Sequence, residues 1–197
     1  MVPVDELNEY PRKPGWQRLI VPAAIGVALA VILFLLLQPI DEAEEPKQLG
    51  SFELPLLDGG TLTDEDLRGR PVVVNFFASW CTPCREEARV LEGGFKKYES
   101  EGVQFIGVNV RDTPEDANGF VKEFAVSYPV VKDYEEILGR RLGTGLALPQ
   151  TFFVTGDLEV LASEAGDEVG SRNGITTLGA IEPGELEAGI EELLEAG

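Results

Sequence analysis

The stretch that most limits what this chain can fold into is 71–84. Val72-Val73-Val74-Asn75-Phe76-Phe77 is a run of β-branched and aromatic residues, interrupted by one polar side chain, and Trp80-Cys81-Thr82-Pro83-Cys84 follows it closely. Such a run, apolar at odd and even positions alike, reads as a strand covered on both faces. From Arg85 the pattern changes to helical spacing, with Ala88, Leu91, Phe95 and Tyr98 on one stripe. The two cysteines therefore stand at a strand-to-helix junction, three residues apart. A doubly covered strand feeding a helix demands a layered α/β architecture.

The chain contains no other cysteine and no histidine. A structural zinc site wants four Cys or His ligands, and two are present. Covalent haem attachment needs a histidine after the second cysteine, where Arg85 stands. Cys–His and Ser–His nucleophilic pairs are excluded for the same reason. A Cys-x-x-Cys of this kind reads as a redox dithiol, with an inert disulfide or two unrelated buried thiols as the bland alternative.

Elsewhere the chain divides by composition. Residues 1–18 are polar, with three prolines, and read as a short tail. Residues 19–37 carry no charge, and as a helix would span about 28 Å, close to the hydrocarbon thickness of a bilayer. Pro22 falls in the first turn, where proline is tolerated, and Trp16 suits the interface. Arg12, Lys13 and Arg18 precede this stretch, whereas Lys47 is the one base in the fifteen residues after it. The expectation is a single-pass, uncleaved anchor in the cytoplasmic (inner) membrane, N-terminus in the cytoplasm and the rest on the extracytoplasmic, periplasmic side. Residues 38–49 read as an acidic linker and 50–197 as one folded domain. Bases and acids cancel over residues 1–37, so the net charge of −19 lies wholly beyond them. A domain so acidic repels phosphate backbones and is not expected to bind nucleic acid.

Within the domain, Phe52, Leu54, Leu56 and Leu62 around Asp58-Gly59-Gly60 predict a hairpin. Thr63 with Asp66 caps a short helix ending at Gly69. Gly93-Gly94 should kink or weaken the helix that follows the cysteines. A second buried strand is expected over 103–110, and Thr113-Pro114 starts a helix whose buried face is Ala117, Phe120, Val121 and Phe124. Further expectations are a short helix over 134–142, a strand over 151–154, and an antiparallel partner over 158–162. A Gly-rich loop should fill 164–176, and an amphipathic helix 183–195. The two strands joined by a helix should be parallel, and the last two antiparallel.

This order, with the dithiol at the first β-to-α junction, resembles the thioredoxin fold: a mixed sheet flanked by helices, here with an N-terminal hairpin extension and one transmembrane helix. The resemblance is closer to the membrane-anchored thioredoxin-like proteins of the TlpA/ResA/CcmG (DsbE) group. It is carried by residues 62–87, by Val108-Asn109-Val110 with Thr113-Pro114-Glu115-Asp116, and by Leu148-Pro149-Gln150-Thr151-Phe152-Phe153-Val154. Arg89 stands where the family usually has proline. Thr144-Gly145-Leu146-Ala147-Leu148-Pro149-Gln150 departs from the Gly-Val-x-Gly-x-Pro-Glu run of the cytochrome-maturation branch.

At a helix N-terminus the Cys81 thiolate meets unsatisfied N–H groups and the positive end of the helix dipole, both of which lower its pKa. Cys81 is then the attacking thiolate and Cys84 the resolving one. Pro83 and Trp80 are expected to shape and cover the substrate-facing rim. The resemblance implies a cis Leu148–Pro149 bond against the dithiol, whose backbone binds the substrate chain. It also implies that Glu87 moves protons at the dithiol, since Asn75 stands where thioredoxin has a buried aspartate. A solvated surface glutamate is the plain alternative for Glu87. No bound cofactor and no metal are expected, the redox group being the Cys81–Cys84 disulfide. The implied partners are protein thiols and disulfides, apocytochrome c among them, and a membrane electron donor. Two other readings stay open: an oxidant or isomerase on the same fold, and a Cu(I) carrier.

Overall fold

The computed structural model describes residues 25–26, 28–29, 31–34, 47–145, 147–161 and 177–196. The tail over 1–18, most of the expected anchor and linker, and the loop over 164–176 lie outside them. Among the described residues no helix is long and apolar enough to cross a membrane.

The folded unit contains β1 (Glu53–Pro55), β2 (Thr61–Thr63), α1 (Asp64–Leu67), β3 (Val72–Phe77), α2 (Thr82–Tyr98) and β4 (Gln104–Asn109). It continues with α3 (Pro114–Phe124), β5 (Val130–Lys132), α4 (Ile137–Leu142), β6 (Gln150–Val154), β7 (Thr177–Leu178) and α5 (Pro183–Ala196). β1 and β2 form the expected hairpin, with Leu54 opposite Leu62. The main sheet has the order β5-β4-β3-β6-β7. β3 pairs β4 in parallel and β6 in antiparallel register, so β3 is central and every one of its six residues is buried.

Strand alternation sorts the core into two layers. Val72, Val74 and Phe76 face one side with Ile106, Val108, Phe152 and the hairpin leucines. Val73 and Phe77 face the other, with Phe105, Phe153, the α2 stripe and Leu186, Ile190 and Leu193 of α5. Both cysteines belong to this second layer.

Several expectations need correction. α2 runs through Gly93 and Gly94 as one helix. Gly94 serves close approach instead: a Cβ there would sit 2.6 Å from Leu186 Cδ2 of α5. The antiparallel partner expected over 158–162 is present but short: Val160 bridges Val154, with Thr155 N–H donating to Glu159 O and Leu161 N–H to Phe153 O. Its backbone turns to the N-terminal segment, where Val160 N–H donates to Lys47 O at 2.7 Å. β7, which pairs with Gln150 and Thr151 at the other end of β6, was not foreseen. The helix expected from 134 begins at Ile137, because Asp133 accepts hydrogen bonds from the N–H groups of Ile137, Leu138 and Gly139 and fixes the start there. β5 was not foreseen, being three residues long behind Pro129. The fold also takes in residues from the stretch expected as linker: Leu49 is fully buried and its N–H donates to Leu158 O.

Candidate active site

Cys81 is the N-cap of α2, and its sulfur accepts a hydrogen bond from Cys84 N–H at 3.2 Å. Cys81 and Cys84 are joined as a disulfide with their Cα atoms 5.3 Å apart, and both are buried. The preceding residues are tied down by Asp112, in the loop between β4 and α3. Its carboxylate accepts from Ser79 N–H, Ser79 Oγ, Asn109 Nδ2 and Thr113 N–H, at 2.7 to 3.0 Å. Trp80 Nε1 donates to Arg111 O at 3.0 Å while the ring stays largely exposed, next in sequence to Cys81. Pro83 is exposed in the first turn of α2. Arg85, at the end of that turn, stacks over Phe124 at 5.0 Å and pairs with Glu123.

The Leu148–Pro149 bond is cis. Leu148 packs against the layer that contains both cysteines, and Pro149 is buried. Pro149 O accepts from Gly179 N–H at the start of the α5 approach.

Glu87 is not a surface residue: it is 1% exposed. Asn75 Nδ2 donates to its Oε1 at 2.7 Å, and Ile181 N–H to its Oε2 at 2.8 Å. The same Asn75 Nδ2 donates to Thr151 Oγ1 at 3.0 Å. Burial pushes the Glu87 carboxyl up to about 7, with the two donors pulling the other way. Helix α2 thus carries the dithiol at its N-terminus and, one turn past Cys84, a buried acid able to change charge near neutral pH. Asp112, Thr151 and the Ile181 backbone were missed by sequence reasoning. A signal existed only for Asp112, which directly precedes the Thr113-Pro114 helix start. Among the described residues no three His, Cys, Asp or Glu side chains are placed to hold a metal ion.

The sequence matches the AhpC/TSA family over residues 47–163. It is 37% identical over 143 residues to the thiol:disulfide interchange protein DsbE of Pseudomonas fluorescens biotype C, covering 69% of this chain and 77% of that one. It is 27% identical over 148 residues to the thiol-disulfide oxidoreductase ResA of Bacillus subtilis (strain 168), covering 75% and 80%. The crystal structure of a thiol:disulfide interchange protein of the thioredoxin family from Chlorobium tepidum TLS superposes with a TM-score of 0.59 at 25% identity, covering 76% of this chain and 97% of that one. A cysteine pair capping a helix, a cis-proline whose preceding Leu148 packs on the same layer, and these relatives agree: the chain belongs to the AhpC/TSA family, as one of its thioredoxin-like thiol:disulfide oxidoreductases.

Proposed function

We propose that the protein reduces disulfides of extracytoplasmic proteins, with the cysteine pair of apocytochrome c as the substrate class. The observation that carries the reading is the position of Cys81 as N-cap of α2, in one buried layer with Cys84, against which Leu148 of the cis-proline bond packs. In the reduced enzyme the Cys81 thiolate attacks one sulfur of the substrate disulfide, and that S–S bond breaks as a mixed disulfide forms. Cys84 gives up its proton to the Glu87 carboxylate and attacks Cys81 Sγ, releasing the second substrate thiol. Two electrons pass from the dithiol to the substrate, leaving the Cys81–Cys84 disulfide. A membrane dithiol donor reduces that disulfide back to the dithiol, itself becoming a disulfide, so the redox group is the protein's own cysteine pair rather than a bound cofactor. Trp80, Pro83 and the Leu148–Pro149 backbone form the surface that receives the substrate chain. Residues 19–37 anchor the enzyme, with the N-terminus in the cytoplasm and the catalytic domain outside.

The test is a trap. Expressed in cells, the Cys84→Ser chain should accumulate mixed disulfides through Cys81, and Cys81→Ser/Cys84→Ser should accumulate none. Capture of apocytochrome c supports the substrate; equal adducts with both variants overturn the reading. A reduction potential nearer −120 mV than about −270 mV would reverse the direction to oxidation.

A further inference from the structure

The Glu87 proton has a difficulty that the geometry makes explicit. Each carboxylate oxygen faces a donor: Oε1 faces the Asn75 amide and Oε2 the Ile181 N–H. That arrangement suits an anion. When Glu87 is protonated, one oxygen becomes a donor, and a backbone N–H cannot accept from it. The carboxamide of Asn75 can, provided that it turns over. Its present partners permit the turn. One atom, Nδ2, serves both Glu87 Oε1 and Thr151 Oγ1, so rotation would bring Oδ1 to face both. Thr151 is fully buried, and a hydroxyl both accepts and donates.

We propose that Asn75 is the positioning residue for the Glu87 proton, reversing its amide as the carboxyl gains or loses it. With the anion, Nδ2–H donates to Oε1 and to Thr151 Oγ1. With the acid, Oε1–H and Thr151 Oγ–H both donate to Oδ1. One proton is gained, two hydrogen bonds reverse direction, and no covalent bond or electron moves. The buried carboxyl is therefore satisfied in both charge states, which an apolar residue at position 75 would not achieve. Thr151 lies two residues beyond Pro149, so the reversal joins α2, β3 and the strand leaving the cis-proline loop.

Among the described residues, other ionisable groups near Glu87 are few. Cys84 lies one turn earlier on α2. Tyr128, ahead of β5, is buried and feels both Glu87 and Glu92, and its hydroxyl stays neutral, raised by burial first and by those carboxylates second. Glu92 is ion-paired to Lys96 and accepts from Ser127. From α5's side the contact is backbone.

The proposal rests on Glu87 as the proton acceptor, and the test separates the two. In the full-length protein in detergent micelles, carbon-13 labelling of glutamate carboxyls follows Glu87 directly, and nitrogen-15 labelling follows the Asn75 amide. The Asn75 amide resonances should shift through the same midpoint as the Glu87 carboxyl. Asn75→Leu should bind the Glu87 proton about tenfold more tightly, since a donor to the anion is lost. An Asn75 amide that ignores the Glu87 midpoint, or an Asn75→Leu midpoint equal to wild type, overturns the proposal. The first readout needs no variant, so it decides the matter even if Asn75→Leu misfolds. The catalytic role of Glu87 is read separately, from whether Glu87→Gln removes the pH dependence of thiol exchange between pH 6 and 8.

Discussion

Helices α2 and α3 begin alike and are charged differently. α3 is capped by Thr113, whose Oγ1 accepts from Asp116 N–H at 3.1 Å, with Pro114 following and Glu115 and Asp116 in the first turn. α2 is capped by Cys81, whose sulfur accepts from Cys84 N–H, with Pro83 following and no acid in the first turn. With 35 acids against 16 bases in the chain, an acid-free turn runs against composition. At α3 the positive end of the dipole stabilises carboxylates; at α2 it is left for sulfur. The one buried acid of α2 nearest the cysteines, Glu87, lies a turn beyond Cys84, under the dithiol. Similar capping thus becomes structural or chemical according to what is kept away from it.

The strongest way to break the comparison is Cys81→Ser, which turns α2 into another hydroxyl-capped helix. Thiol exchange should vanish, while the denaturation midpoint of the reduced protein should hold within about 1 kcal/mol, since serine caps well. Next is Glu87→Gln. With the carboxyl raised from an ordinary 4.5 to about 7, the folded chain keeps a proton that the unfolded chain releases between those values. Wild-type stability therefore falls as pH rises through that window and is flat above it, whereas Glu87→Gln lacks this slope. The difference, about 3 kcal/mol at pH 8 and near zero at pH 4, is read by urea denaturation of the oxidised protein. Thr113→Ala should cost about 1 kcal/mol and leave exchange rates unchanged, marking α3 as the structural case. The smallest effect sharpens the comparison most: Thr82→Glu gives α2 the acid that α3 has. It should lower the reactive thiolate at pH 7 about two- to fivefold, measured as the rate of iodoacetamide alkylation.

The layered fold was legible because β3 announces itself: six buried residues in one run admit few other readings. Cys81, Cys84 and the Leu148–Pro149 bond were legible through motif and resemblance. Other features depend on contacts that no local pattern carries. Gly93-Gly94 looked like a kink because glycine weakens helices, yet Gly94 is where Leu186 comes close. For Glu87 the resemblance implied proton transfer and left a surface glutamate as the alternative; only the fold brings Asn75 and Ile181, 12 and 94 residues away, onto its two oxygens. β7 was hidden because two residues of pairing leave no periodicity to detect.

Trp80, largely exposed with its indole N–H held by Arg111 O, has an optical consequence. The other tryptophan of the chain is Trp16, so Trp80 is the one indole fluorophore within residues 47–197. It is fixed in sequence and by a hydrogen bond beside a sulfur pair, and an excited indole transfers an electron more readily to a disulfide than to two thiols. The emission of this domain should therefore brighten on reduction, an outcome that a fluorescence titration with a dithiol checks and that would let turnover be followed without an external dye.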